Sequence, residues 1–281
     1  MMTKRKVTQK KLDIFRQRTF HTLPGTRLHS LEDAIRFIDE RGLITFWPIK
    51  GVDLPSLWTA VAGDRPVAEV HDDPGHVTWG WKDALLPLKR VYYAKYLRGK
   101  ATFASLELLP YLYALSPRVA DLDDYRLAYE AGHLTYEAYL IGEALLEHGP
   151  LHTIELRKHA NLSSSAVKSR FDRALSDLQR GLWIVPVGVA EAGAWRYAFV
   201  YDLFDRWFDQ IPGEARPIKL SEARRTVLQS CLSSVGMAQD ASLARLLSWP
   251  ISTVRSALTE LSNTGVLGYE DSMGWFHHDV S

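Results

Sequence analysis

Few residues in this chain of 281 have the types and spacing of a chemical site. The densest run is "EVHDDPGH", which brings Glu69, His71, Asp72, Asp73 and His76 together. Carboxylates so grouped, with Asp53 a little upstream, could activate water or stabilise a cationic sugar during glycosidic cleavage. Asp-Asp-Pro-Gly is equally an ordinary turn. His277 and His278 point to opposite sides of a strand pattern, a poor metal site without further ligands. Cys231 is the only cysteine. Within "VLQSCLSSV" it reads as a buried thiol rather than a nucleophile. No disulfide can form within the chain, which fits a reducing cytoplasm. There is no P-loop, dinucleotide fingerprint or nucleophile elbow, so no metal or cofactor is expected.

Cations and aromatics offer a second kind of chemistry. Trp79, Trp81, Tyr92, Tyr93 and Tyr96 are interleaved with Lys82, Lys89, Arg90, Lys95, Arg98 and Lys100. Aromatic faces stack on bases and cations hold phosphates, a composition suited to an unpaired or extruded nucleotide. The same spacing fits a helix with an aromatic core face and snorkelling Lys and Arg on the other side. The segment "GLITFWPIKG" raises the same choice, with Phe46 and Trp47 either filling a core or stacking on a base. Net charge is only +1, but the charges are grouped. Residues 1–20 hold seven Lys/Arg against Asp13, and residues 119–147 hold seven acids against Arg126. Blocks of this kind can give one face a positive potential while the total stays near zero, or can be solvated surface.

These groups need elements to position them, and the chain repeats one. "DAIRFIDERGLITFWP", "RALSDLQRGLWIVPVG" and "SALTELSNTGVLGYED" share an Ala-apolar helical stripe, a Gly and a strand-like run. The stripe predicts an amphipathic helix, the Gly its left-handed stop, and the β-branched and aromatic run a strand. Helix, glycine, strand is the final half of a winged helix. The second and third copies carry full matches. Tyr136 to His148, "TIELRKHA" and "AVKSRFDRALSDLQR" predict three helices, with "LWIVPVG" and "WRYAFVYDL" as wing strands. "EARRTVLQSCLSSV", "DASLARLLS" and "TVRSALTELSNT" predict three more, followed by "VLGYE" and "WFHHDV". The first copy would draw its opening helices from "KKLDIFRQRTF" and "SLEDAIRFIDER". The expected architecture is mainly α with small β wings (α+β), in three tandem winged helix-turn-helix units. Units are expected over 1–65, 129–211 and 218–281, with an aromatic, basic central region over 66–128.

In a winged helix the third helix enters the major groove and the wing lies near the backbone. Expected DNA contacts are therefore Ser164, Ser165, Lys168, Ser169, Arg170 and Arg173 in the second copy, with Arg196 on its wing. The third copy offers Ser252, Thr253 and Arg255, and the central region Lys82, Lys89, Arg90, Lys95 and Arg98. A transcriptional regulator or a protein-interaction module built from winged helices is the reading from another class. The expected partner is double-stranded DNA, intact or damaged, bound by a monomer. No apolar run is long enough to cross a bilayer and the N-terminus lacks a signal-peptide core, so a cytoplasmic location is expected.

Two segments carry a family resemblance. Gly42, Leu43, Pro48 and Ile49, followed by Trp58, resemble a Gly-Leu-x-Gln-x-Gln/Asp-Pro-Ile motif. Trp79, Leu85, Leu86 and Pro87 resemble a Trp-Ala-His-Glu-Ala-Ser-Leu-Leu-Pro segment. Both belong to the AlkZ/YcaQ-type crosslink-repair DNA glycosylases. The resemblance implies three tandem winged helices around a concave DNA channel, and excision of alkylated bases. It also implies that the two polar motif residues position water and stabilise charge on the sugar. Here those positions hold Thr45 and Trp47, and Trp81 and Lys82 stand at the His and Glu positions. An indole has a single donor and Thr45 has no useful basicity. The expectation is a retained scaffold with excision weak or lost. The alternative is a divergent glycosylase taking its acid from Asp53, Glu69, Asp72 or Asp73.

Overall fold

The computed structural model describes residues 7–67, 73–271 and 273–280, the side chains of 73–75 apart. Glu69, His71 and Asp72 lie outside the described residues, and the side chain of Asp73 with them.

One order of elements occurs three times. After α1 (Gln9–Thr19) come α2 (Leu31–Arg41), β1 (Leu43–Thr45), α3 (Leu57–Ala62), α4 (Asp73–Leu85), β2 (Val91–Ala94) and β3 (Thr102–Ser105). Two short helices, α5 (Leu109–Ala114) and α6 (Tyr125–Glu130), lead to the second set. This is α7 (Tyr136–His148), β4 (Leu151–His152), α8 (Thr153–His159), α9 (Lys168–Arg180), β5 (Ile184–Ala190) and β6 (Ala198–Leu203). Then α10 (Phe204–Trp207) and α11 (Ile211–Ala215) precede the third. It consists of α12 (Leu220–Val235), β7 (Met237–Ala238), α13 (Asp240–Leu247), α14 (Ile251–Asn263), β8 (Leu267–Glu270) and β9 (Gly274–His277). Each sheet is antiparallel with its last strand in the middle, in the orders β1-β3-β2, β4-β6-β5 and β7-β9-β8.

Local chemistry explains the elements. The Ser30 hydroxyl caps α2 by accepting from the Asp33 N–H, and Glu32 and Asp33 sit in the first turn, where acids suit the helix dipole. Gly42 then stops the helix at φ +71°, and a Cβ there would lie 2.2 Å from the Ser230 hydroxyl. In α9 the buried Phe171, Ala174, Leu175 and Leu178 recur at helical spacing, which leaves the opposite face to solvent.

Two expectations from the sequence change. Residues 91–94 form a strand rather than the helix suggested by Tyr92, Tyr93 and Tyr96. All four are buried, so no in-out alternation marks them. This strand and Thr102–Ser105 complete the sheet begun by Leu43–Thr45. "DAIRFIDERGLITFWP" is accordingly the first helix and first strand of its set. The two segments it resembles are the last helix and second strand of theirs. The "KKLDIFRQRTF" helix does not open this set either. Val7 and Leu12 pack with Met237 and Phe276 of the third sheet and with Val280 just after it.

The largest core joins all three sets, with Leu43 and Tyr92, Leu182 and Phe204, and Val227 and Leu258 in one cluster. A second core lies under α7–α9, and a third under α2, α3 and β1–β3, with Phe199 of β6 packed on both. Arg118 binds the connecting segment to the second set. Its Nε bonds both Asp124 carboxylate oxygens at 2.8 Å, and its terminal nitrogens bond Asp205 Oδ2 at 2.7 Å and the Leu182 carbonyl. The Arg118 side chain is 1% exposed. No helix among the described residues is long and apolar enough to cross a membrane.

Candidate nucleic-acid interface and the enclosed motif segments

The two motif-like segments meet through an aromatic chain. Phe46 lies edge-on to Trp47 at 4.7 Å and touches Trp79 at 5.9 Å between ring centroids. Trp79 faces Tyr197 at 5.8 Å, Tyr197 contacts Phe199, and Phe199 stacks on Tyr93. Tyr93 and Phe46 both pack on Phe103, closing the ring of contacts.

Thr45 is fully buried on the edge strand β1, where its N–H donates to the Pro55 carbonyl at 3.0 Å. Its hydroxyl reaches the same carbonyl at 3.4 Å, so it faces backbone rather than a cleft. Phe46 and Trp58 are each 1% exposed, and Trp47 lies half-buried between them. The choice between core and stacking surface therefore falls to core for Phe46. Trp81 is half-buried beside the same cluster.

Lys82 was expected to face DNA, yet it is 1% exposed. Its Nζ donates to Tyr197 Oη and contacts Asp83 Oδ1, each at 2.5 Å, and Tyr197 Oη donates to the same Asp83 oxygen at 2.8 Å. Trp79, Phe199, Tyr197 and Tyr93 surround the ammonium position at 4.2, 4.5, 5.2 and 5.9 Å. Burial pushes the Lys82 pKa below the ordinary lysine value, with Asp83 opposing the shift. Burial and Asp83 push the Tyr197 phenol up, so it stays neutral and keeps its proton. Tyr197, Phe199 and Asp83 escaped the sequence reading. The signal for the first two was Tyr197, Phe199 and Tyr201 at period two on one strand face.

The expected DNA contacts divide by exposure and by prior partner. Ser164, Ser165, Lys168, Ser169, Arg170 and Arg173 are all exposed at the start of α9 and on its outer face. The Ser164 hydroxyl accepts from the Ala166 N–H. Lys168 pairs with Asp172 at 2.8 Å and Arg170 with Glu137 at 3.0 Å. Arg173 has no carboxylate partner among the described residues. Lys95 and Arg98 are also exposed and adjoin α9. The Lys95 N–H donates to Gln179 Oε1 at 3.0 Å, and Gly99 closely approaches Ser176. Tyr92 and Tyr93 are buried in the sheet, so that part of the aromatic region is core.

Elsewhere the cations are spread out. Lys89 lies over the Trp207 ring at 4.3 Å, and Arg90 bonds Glu32 at 2.6 Å. Arg255, on α14, holds Asp240 at 2.5 Å beside exposed Ser252 and half-buried Thr253. Arg196 pairs with Glu191 at the tip of the β5–β6 hairpin, next to Trp195, which is 91% exposed. Of the candidate acids, Asp53 pairs with Arg16 at 3.2 Å and shares a groove with Arg98 and Leu243. Cys231 lies at the back of that groove, buried, with its thiol pushed up to about 12 by desolvation.

Comparison with known proteins follows the same lines. A search of curated proteins gives no sequence match. Among solved structures, the Streptomyces sahachiroi DNA glycosylase AlkZ is similar, with a TM-score of 0.61 at 14% identity. The match covers 98% of this chain and 71% of that one, and at this identity it speaks for the fold alone. Residues 28–248 match the model of the family described as AlkZ related. That span takes in all of the first two sets and α12, β7 and α13 of the third, and on it the chain belongs to the AlkZ-related family.

Proposed function

We propose that this chain is a double-stranded DNA-binding protein built from three tandem winged helices, in which the base-excision chemistry of AlkZ-type glycosylases is weak or lost. The observation that carries the reading is the thrice-repeated order of helix, strand, two helices and hairpin, with the last strand central in every sheet. On this reading α9 is the groove-reading helix of the second set, and its exposed Lys168, Arg170 and Arg173 support that role. The β5–β6 hairpin is then the wing, with Trp195 and Arg196 at its tip. Cations on a helix face hold phosphates, and Ser hydroxyls add neutral contacts that fix register.

Loss of excision rests on the motif positions. Thr45 is buried against a backbone carbonyl, Trp47 offers one indole donor, and Lys82 is enclosed. None presents a carboxylate or amide that could orient an attacking water. The test is a glycosylase assay on duplexes carrying N7-alkylguanine, beside anisotropy binding to the same duplexes. Binding without base release is the expected result. Robust release that disappears in Thr45→Ala would overturn the loss of chemistry, and no salt-sensitive binding would overturn the DNA reading.

A further inference from the structure

We propose that Lys82 is an amine nucleophile for an aldehyde, the ring-opened deoxyribose of an abasic site in DNA. The inference rests on the DNA-binding reading and goes beyond it, because it assigns covalent chemistry to a side chain placed where the related motif carries an acid.

Three features of the site support it. First, the amine is held rather than merely buried. Nζ is 2.5 Å from both Tyr197 Oη and Asp83 Oδ1, so a carboxylate in contact with it can accept its proton. Second, desolvation lowers the Lys82 pKa, which increases the neutral fraction that can attack a carbonyl. Tyr197, held neutral, accepts from Nζ and donates to Asp83, so it ties the amine to the carboxylate that takes its proton. Third, the enclosure has a thin side. Trp79, which lies 4.2 Å from Nζ, is 42% exposed, whereas Lys82 itself is 1% exposed. For the amine to be reached, this ring must swing off Phe46 and Tyr197, and the displaced indole is then a stacking face for the base beside the gap. An abasic sugar lacks a base, so it needs only a narrow approach of this kind.

The step balances without an oxidant or reductant. The Nζ lone pair forms a bond to C1′ of the aldehyde, whose carbonyl electron pair goes to oxygen and is protonated. Loss of that oxygen as water leaves the iminium, and water reverses the reaction. Asp83 takes one ammonium proton before the attack and returns it to the hydroxyl that leaves as water, a second amine proton passes to the oxygen on addition, and Tyr197 keeps its own.

The experiment incubates the full chain with a duplex containing one abasic site and sodium cyanoborohydride, which reduces the iminium to a stable secondary amine. Denaturing gels read the covalent adduct, and peptide mass spectrometry locates it. The expected result is an adduct on Lys82 that is lost in Lys82→Met. It is lost also in Lys82→Arg, which keeps a cation but cannot form the iminium. Circular dichroism of each variant reports folding, and anisotropy with an undamaged duplex reports whether DNA is still held. In parallel, 2-deoxyribose 5-phosphate replaces the duplex. Adduct on another amine, or adduct undiminished in both variants, would overturn the proposal. Labelling of Lys82 by the small aldehyde but not by the abasic duplex would overturn the assignment to DNA while leaving the amine reactive. No labelling by either, with duplex binding intact, would overturn the nucleophile and leave the DNA-binding reading standing.

Discussion

The three cations on the outer face of α9 should differ in how they contribute to DNA binding, because two of them are already paired. A cation that neutralises one phosphate of duplex DNA contributes about 0.9 to the slope of log K against log salt. Between about 50 and 200 mM salt, each such contact therefore weakens binding by about 3.5-fold, and three together by about 40-fold. Arg173 has no carboxylate to give up among the described residues, so Arg173→Gln should lower the slope by about 0.9 and lose most affinity at low salt. Lys168 must exchange Asp172 and Arg170 must exchange Glu137 before either can neutralise a phosphate. Asp172→Asn should therefore tighten binding, by releasing Lys168 and removing a repelled carboxylate from the same face. Fluorescence anisotropy on one labelled duplex across a salt series measures all of this. An Arg173→Gln protein with the wild-type slope would refute the assignment of Arg173 to phosphate. Asp172→Asn that weakens binding would refute the view that its pair with Lys168 competes with DNA.

Further outcomes follow from buried groups. Arg118→Met leaves the Asp124 and Asp205 carboxylates enclosed without their cation, and should cost about 3–5 kcal/mol in urea unfolding. Adding Asp124→Asn and Asp205→Asn should restore part of that, and an unchanged midpoint in the single variant would count against the network. Gly42→Ala should destabilise by at least about 1–2 kcal/mol for its positive φ alone. Ser230→Ala in the same chain should relieve only the added clash with the Ser230 hydroxyl. Because the folded Lys82 pKa is lowered, the folded state binds fewer protons than the unfolded state as Lys82 titrates. The resulting penalty is full below the folded pKa and fades as pH rises to the ordinary lysine value of 10.5. The stability of wild type relative to Lys82→Met should therefore rise through that alkaline range, and a gap that widens in the opposite sense would contradict it. Asp83, Tyr93 and Tyr197 face the amine, and both tyrosines are raised by burial and so stay neutral over most of that window.

The helices of the second and third sets were legible from their apolar stripes, and the first of them also from its ends. The predicted Tyr136–His148 helix has Thr135 as a side-chain cap and Gly149 beyond it, and the structure places it at those bounds. The strands on either side of "VAEAGA" were legible from their β-branched and aromatic content. The first set was misaligned because each set holds two helix-to-strand junctions, one after the first helix and one after the third. Gly42 marks the former, and Gly181 and Gly265 the latter. Local pattern cannot separate them, since both lead into an edge strand paired to the central one. The strand at 91–94 was hidden for a related reason, being short and buried along its whole length. At the site, exposed α9 residues followed from amphipathicity. The enclosure of Lys82 did not, because it depends on Tyr197 and Phe199, more than a hundred residues away in sequence.

Phe199 packs on two cores at once, and the largest core takes side chains from all three sets. An array of repeats that touch only their neighbours can lose its ends one at a time. Here the first and second sets each hold a smaller core, but the largest core is shared by all three, so removing any one set exposes apolar surface of the others. Amide exchange should accordingly show the slowest protons of β3, β6 and α12 opening together, as one cooperative block rather than three. A repeat legible in the order of elements has, in this chain, been merged into a single unit of stability.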